Sequence, residues 1–248
     1  MNINVVPTSQ NYRGMSYGDW AIAWDRWLMS ENPDMNIRKD ILFLRGNLDY
    51  RPVGSGPNVP RHMNPNSILN RTGNKGEEIF GNTAILIPIL TSRYSIGDIY
   101  DGRRIHDEIQ LRDAINTDTD ESLKAWAIVG HRGSKKMATI VDDLNDFRIE
   151  STMYRLHIKG NSKLRDRMEC RPDPGVYDSI IGGYFIIIKS LQIGRYRFLF
   201  GGEGRGRYGT CSIYDINVNK IMRPNMEDTQ VDYTTKCLSL MSRKIQSM

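Results

Sequence analysis

Apolar positions recur along this chain with two different periods, and the change of period divides it into elements. From Ser16 to Ser30 the large side chains return every three or four residues, with Trp20, Trp24 and Trp27 at i, i+4 and i+7 on one face, so the spacing predicts a helix. Ser16 can cap it, Asp19 sits at the third helical position, and Ser30-Glu-Asn-Pro33 closes it. Ile41 to Gly46 reads as a short strand ended by glycine. Ala84 to Leu90 is a continuous apolar run, expected to be buried on both faces, with Pro88 marking an edge or a bulge. Ile105, Ile109, Leu111 and Ile115 return to helical spacing. Asp118-Thr-Asp-Glu121 resembles a capping box ahead of Leu123, Trp126, Ala127 and Val129, with Gly130 as the stop. A short helical insertion is therefore expected over 104–130.

Beyond Gly133 the period becomes two. Met137–Asp142, Phe147–Ser151 and Met153–Lys159 read as short strands; Gly182–Leu191 and Arg195–Gly201 read as a pair of strands joined across Gln192-Ile-Gly194; Tyr208–Val218 follows. Arg195, Arg197 and Leu199 alternate with Tyr196, Phe198 and Phe200, which predicts one basic and one aromatic face. Residues 49–81, rich in Gly, Pro, Asn and Arg, read as a long loop, and Arg165–Asp178 as another. Gly201–Gly209 reads as a hairpin turn with Arg205 and Arg207 at its tip. It lacks the Lys-Ser/Thr of a phosphate-cradling loop, and a strand follows it rather than a helix. Residues 219–248 are polar without clear period and read as an extended arm. The expected fold is mainly β: a jelly-roll-like β-sandwich with an N-terminal Trp-rich helix and a helical insertion, as a single domain over 1–218.

Composition narrows the class. Of 248 residues 39% are hydrophobic and 25% charged, which excludes a disordered chain and suits a folded core. No apolar run approaches the 18 or so residues of a membrane span, and the opening residues lack the pattern of a secretory signal. Cys170, Cys211 and Cys237 are odd in number and far apart, so three reduced thiols are expected rather than disulfides or zinc. His62, His106, His131 and His157 are scattered likewise.

The net charge of +5 is local in origin. Arg155 to Tyr208 holds 11 Lys/Arg against 5 Asp/Glu, while residues 1–154 hold 18 against 20. That stretch, with Arg195, Arg197, Arg205 and Arg207 as candidate interaction residues, is where an acidic partner is expected. Nucleic acid is not expected, because no basic run is interleaved with stacking aromatics. No nucleophile elbow, HExxH or paired histidine and nucleophile occurs. Neighbouring carboxylates such as Asp107-Glu108 and Asp142-Asp143 point apart on any regular element. No catalytic residue, cofactor or metal site is therefore expected. The tryptophan stripe is read as a structural anchor, the other reading being an aromatic platform for sugars.

Several blocks in order resemble a poorly characterised family with bacterial, archaeal and viral members. They are Tyr17-Gly18 with Trp20, Trp24 and Trp27; Phe43-Leu-Arg-Gly46; Ile85-Leu-Ile-Pro-Ile-Leu90; and Gly183-Tyr184, Leu191, Gly194 and Phe200-Gly-Gly202. The resemblance spans about residues 16–218 and implies a β-sandwich with an embedded N-terminal helix. Its cellular members carry signals and extra cysteines that are missing here, so it implies a virion component made in the host cytoplasm. The expected function is that of a non-enzymatic structural protein of a virus or phage particle: a capsid-associated, decoration or tail-associated subunit. It would work as a homo-oligomer or with other virion proteins, through loop 49–81, turn 201–209 and arm 219–248. A carbohydrate- or ligand-binding sandwich is the alternative, and an unrecognised enzyme the third reading.

Overall fold

A computed structural model describes residues 3–30, 41–46, 51–52, 68–71, 77–122, 124–133, 136–141, 143–160, 173–203 and 208–220. In chain order the elements are α1 (Tyr17–Leu28), β1 (Ile41–Phe43), β2 (Arg51–Pro52), β3 (Ile68–Arg71), β4 (Glu77–Phe80) and β5 (Ala84–Ser95). They continue with β6 (Ile99–Tyr100), β7 (Arg103–Arg104), α2 (Glu108–Asp120), β8 (Lys124–His131) and β9 (Ala138–Thr139). The last are β10 (Arg148–Glu150), β11 (Tyr154–Ile158), β12 (Gly175–Ile188), β13 (Gly194–Glu203) and β14 (Tyr208–Asn219). The architecture is mainly β, built on mixed, curled sheets. Among the described residues no helix is long and apolar enough to cross a membrane.

The first sheet is centred on the long antiparallel pair β5 and β12, with β1 parallel on the far side of β5. Pro88 falls where expected: the register shifts between Tyr184 and Phe185, opposite Leu90 and Pro88. Gly183 makes the bulge possible. Its φ is +126, and a Cβ there would come within 3.0 Å of the Leu90 carbonyl oxygen. The other edge of β12 is closed in series by β11, by β10 and by residues 4–6, which exchange backbone hydrogen bonds with Ile187 and Lys189.

Helix α1 forms as its sequence requires. Ser16 Oγ accepts from the Asp19 N–H at 3.1 Å and the Asp19 carboxylate accepts from the Ser16 N–H at 3.0 Å, a complete capping box. Trp20 and Trp24 are each 2% exposed, and Trp27 is half-buried. Burying a ring on the order of 200 Å² leaves its indole N–H needing a partner. Trp20 donates to the Tyr12 carbonyl at 3.0 Å and Trp24 to the Leu44 carbonyl at 2.7 Å. Tyr17 joins three elements, its hydroxyl donating to the Val6 carbonyl at 2.6 Å and accepting from the Ile187 N–H at 3.1 Å.

The two helices lie on opposite faces of this sheet. Arg93 reaches Asp25 of α1, whereas its neighbour Tyr94 donates to Asp118 of α2 at 2.7 Å, and adjacent residues of a strand point apart. Tyr100-Asp-Gly-Arg103 turns the β6–β7 hairpin with Asp101 and Gly102 both at positive φ, and leads into α2. Leu111, Ala114 and Ile115 of α2 pack with Ile105 and Ile180. One turn apart, Glu108, Arg112, Asn116 and Asp120 form a polar ladder onto β10: Arg112 pairs with Glu108 and Glu150, and Arg148 pairs with Asp120 and bonds Asn116.

The second sheet runs β14, β13, β8, β9, and β2, β3 and β4 lie in series along the free edge of β14. Strands β13 and β8 approach β5 of the first sheet. Tyr196, Phe198, Phe200, Ala127, Val129, Tyr214, Ile216 and Val218 face inward and share one core with Ile85–Ile87 and Phe185–Ile188.

Four expectations change at this level. Strand β12 begins at Gly175, so residues 175–178 of the expected loop Arg165–Asp178 are strand, paired with β11. Only 108–120 of the insertion 104–130 is helical; Trp126, Ala127 and Val129 lie on β8, because pairing with β13 selects period two over the helical period. Asp118 is consequently inside α2 rather than capping a helix. Residues 49–81, read as a loop, contain β2, β3 and β4, whose strand character comes from pairing with β14 rather than from their own composition. Finally, β12 and β13 are consecutive but sit in different sheets. The hairpin is β13–β14, and residues 189–193 cross between sheets. Of the arm 219–248, Asn219 and Lys220 are described and the remainder lies outside the described residues.

Candidate interaction face

Alternation along β13 places Tyr196, Phe198 and Phe200 in the core and turns Arg195, Arg197 and Leu199 to the opposite, outer face of the second sheet. Register then sorts the outer side chains into rows about 7 Å apart along the strands. One row is Ile128, Leu199 and Ile213, all half-buried. The next is Gly130, Arg197 and Asp215. The third is Arg195, Asn217 and Glu78. Gly130 is glycine for a steric reason: Met137 and the Lys136 carbonyl pass over it, within 3.0 Å of where a Cβ would stand.

Asp215 is only 1% exposed and lies under two guanidinium groups. Arg197 donates to it twice, Nε to Oδ1 at 2.7 Å and a terminal nitrogen to Oδ2 at 3.0 Å. Arg132, whose backbone N–H bonds the Arg195 carbonyl, brings its Nε to 3.3 Å from Oδ2. Hydrogen bonding to Asp215 holds the Arg197 guanidinium still more firmly protonated. Arg195 is exposed and makes no ion pair among the described residues. Of the four arginines expected to act together, Arg195 and Arg197 share this face, and Arg205 and Arg207 lie outside the described residues.

Several other ionisable groups hold elements together or cap them. Asp25 is fully buried between α1 and the first sheet, where Tyr154 donates to it at 2.6 Å and Arg93 lies 3.4 Å away. Burial raises its carboxyl above the ordinary range, against the opposing pull of Arg93 and Tyr154. Asp118 accepts from Ser92 at 3.0 Å and from Tyr94. Asp107 caps α2 by accepting from the Gln110 N–H at 2.9 Å, Glu108 is in the ladder, and Asp143 accepts from the Asn145 N–H at 2.8 Å. Burial pushes the Cys211 thiol up, away from thiolate chemistry. Among the described residues no three His, Cys, Asp or Glu side chains are placed to share a metal ion. With Trp20 and Trp24 buried, the tryptophan stripe offers no exposed platform for a sugar ring.

Asp215 and Arg132 were not legible as site residues. The usable signal is hairpin register: pairing Glu203 with Gly209 places Arg197 opposite Asp215, whereas pairing Gly201 with Gly209 places Arg197 opposite Ile213. Compared with known proteins, the chain matches no family model, no curated protein and no solved structure.

Proposed function

We propose that this chain is a non-enzymatic structural protein of a virus or phage particle, a capsid-associated, decoration or tail-associated subunit that acts through contacts with its neighbours. On this reading its two sheets are the halves of a jelly-roll-like sandwich, and it is made in the host cytoplasm and assembles with copies of itself or with other virion proteins. The observation that carries the proposal is the outer face of the second sheet. A solvated sheet face alternates apolar inside with polar outside. This face instead sets a half-buried aliphatic row, Ile128, Leu199 and Ile213, beside a pinned ionic cluster, Arg197, Asp215 and Arg132. Aliphatic centre and charged margin are the makings of a protein interface. The resemblance of the Trp-rich helix and the Phe-Gly-Gly block to a family with viral members is its second support.

The test has two parts. Mass spectrometry of purified particles from the source should find the chain at a fixed ratio to the major particle protein. Sedimentation velocity of the isolated protein should show an oligomer that Leu199→Glu converts to monomer with unchanged circular dichroism. A monomeric chain missing from particles would refute the proposal.

A further inference from the structure

The cluster on the outer face is built to present guanidinium groups rather than to neutralise them. A guanidinium has five N–H donors. Asp215 accepts two donors of Arg197 and pairs ionically with Arg132 at 3.3 Å, and leaves their side chains 41% and 37% exposed. The remaining donors are therefore available at the surface, on side chains whose position a buried carboxylate already holds. Ordering them in advance removes an entropic cost that a partner would otherwise meet. Arg195 stands in the adjacent row of the same face, exposed. Two cations thus flank one buried anion and a third stands one row along, with Glu78 the acidic residue on the far side of Asn217 in the Arg195 row.

We propose that Arg132, Arg195 and Arg197 receive the carboxylates of an extended acidic segment supplied by a neighbouring protein subunit. The inference rests on the structural-subunit reading and names the chemistry of the partner. The rows at Arg195, Arg197 and Leu199 succeed one another at two-residue steps along β13. A segment lying along that strand meets cation, cation and aliphatic surface at alternate positions. The complementary pattern is acidic-x-acidic-x-apolar. Each carboxylate takes charge-assisted hydrogen bonds from guanidinium, and the apolar residue covers the Ile128–Leu199–Ile213 row. A nucleic-acid backbone complements this face less well, because the row next to the arginines is aliphatic and has no ring for a base to stack on.

The experiment uses the full-length protein and three fluorescein-labelled probes: a peptide containing Glu-Thr-Glu-Thr-Leu, a scrambled peptide of the same composition, and a dT15 oligonucleotide. Fluorescence anisotropy should show the patterned peptide binding more tightly than the scrambled one. Arg195→Ala and Arg132→Ala should each weaken it about tenfold, the loss of a charge-assisted hydrogen bond. Arg155→Ala, at an 82% exposed arginine of β11, should leave it unchanged. Asp215→Asn removes a negative charge yet should weaken binding, because Asp215 is a positioning residue; simple charge attraction gives the opposite sign. Arg195→Ala removes an exposed side chain and keeps the test valid if Asp215→Asn fails to fold. Indifference to Arg195→Ala, equal binding of the scrambled peptide, or tighter binding of dT15 with loss in the same variants would overturn the inference. Failure of the peptide while the chain is found in particles overturns this inference alone; absence from particles with the peptide still bound overturns the structural reading instead.

Discussion

Replacing Gly182 by alanine adds one methyl group where α2 lies against β12. An ideal Cβ there falls within 3.0 Å of Ile115 Cγ2 and 3.2 Å from the Ile149 carbonyl oxygen. Carbon atoms settle about 3.5–4.0 Å apart, so the methyl must gain roughly 1 Å or more against a side chain that is 1% exposed. Neither neighbour yields easily: Ile115 is packed on Ile180 and Leu111, and Ile149 is paired to Gly183 across β10 and β12. Overpacking of this kind costs about 1–3 kcal/mol. Ile115→Ala alone removes a buried aliphatic side chain and costs about 2–5 kcal/mol. In the double variant the clash with Cγ2 disappears and the new methyl fills part of the vacated space. Its cost should fall short of the summed single costs by about 1–3 kcal/mol. Urea unfolding of the four proteins gives the coupling directly, provided the slope m stays constant. Additivity within about 0.5 kcal/mol would show that Gly182 and Ile115 do not touch, and would leave glycine at 182 without a steric cause.

Two further expectations concern α1. Tyr17→Phe deletes a hydroxyl that satisfies the buried Val6 carbonyl and Ile187 N–H, so it should cost about 1–3 kcal/mol; hydrogen exchange at Ile187 should accelerate with it, and an unchanged Ile187 amide would contradict the bridge. Asp25 carries the pH dependence. Its folded carboxyl is raised by burial, so the folded state binds that proton more tightly than the unfolded chain, and the stability it contributes is present below the ordinary carboxylate value and lost as pH rises through the folded one. Relative to Asp25→Asn, the wild type should therefore gain stability on acidification from about pH 7 to about pH 4, and a relative loss over that window would reverse the assignment.

What could be read from the sequence was local. Ser16 and Asp19 fix the start of α1 within a single turn, Pro88 announces the bulge, and Tyr196, Phe198 and Phe200 declare which face of β13 is buried. What could not be read depends on partners distant in sequence. Leu123, Trp126, Ala127 and Gly130 satisfy helical spacing as well as Ala127 and Val129 satisfy strand spacing, and only β13 decides between them. The stretches that become β2, β3 and β4 are two to four residues long and carry too few apolar positions to show any period. The pairing of Arg197 with Asp215 needs the hairpin register to within two residues. Glycines flank the turn and leave that register open in the sequence. The face they build is thus a product of tertiary pairing, although each arginine on β13 was visible separately.

The short pieces that close β12 and β14 have a common property: each is made before the strand it covers. Residues 4–6, β10 and β11 precede β12, and β2, β3 and β4 precede β14. During synthesis the long strands therefore emerge into the presence of their covers, and it is the covers that wait. About 130 residues separate the end of β4 from the start of β14, an interval on the order of ten seconds at ~5–20 residues per second. A segment that must stay open that long is safest when it is short, interrupted by Gly and Pro, and poor in apolar side chains, which is the composition of residues 49–81. The composition that hid these strands from a reading of the sequence also gives them little apolar surface to offer another chain before β14 is made.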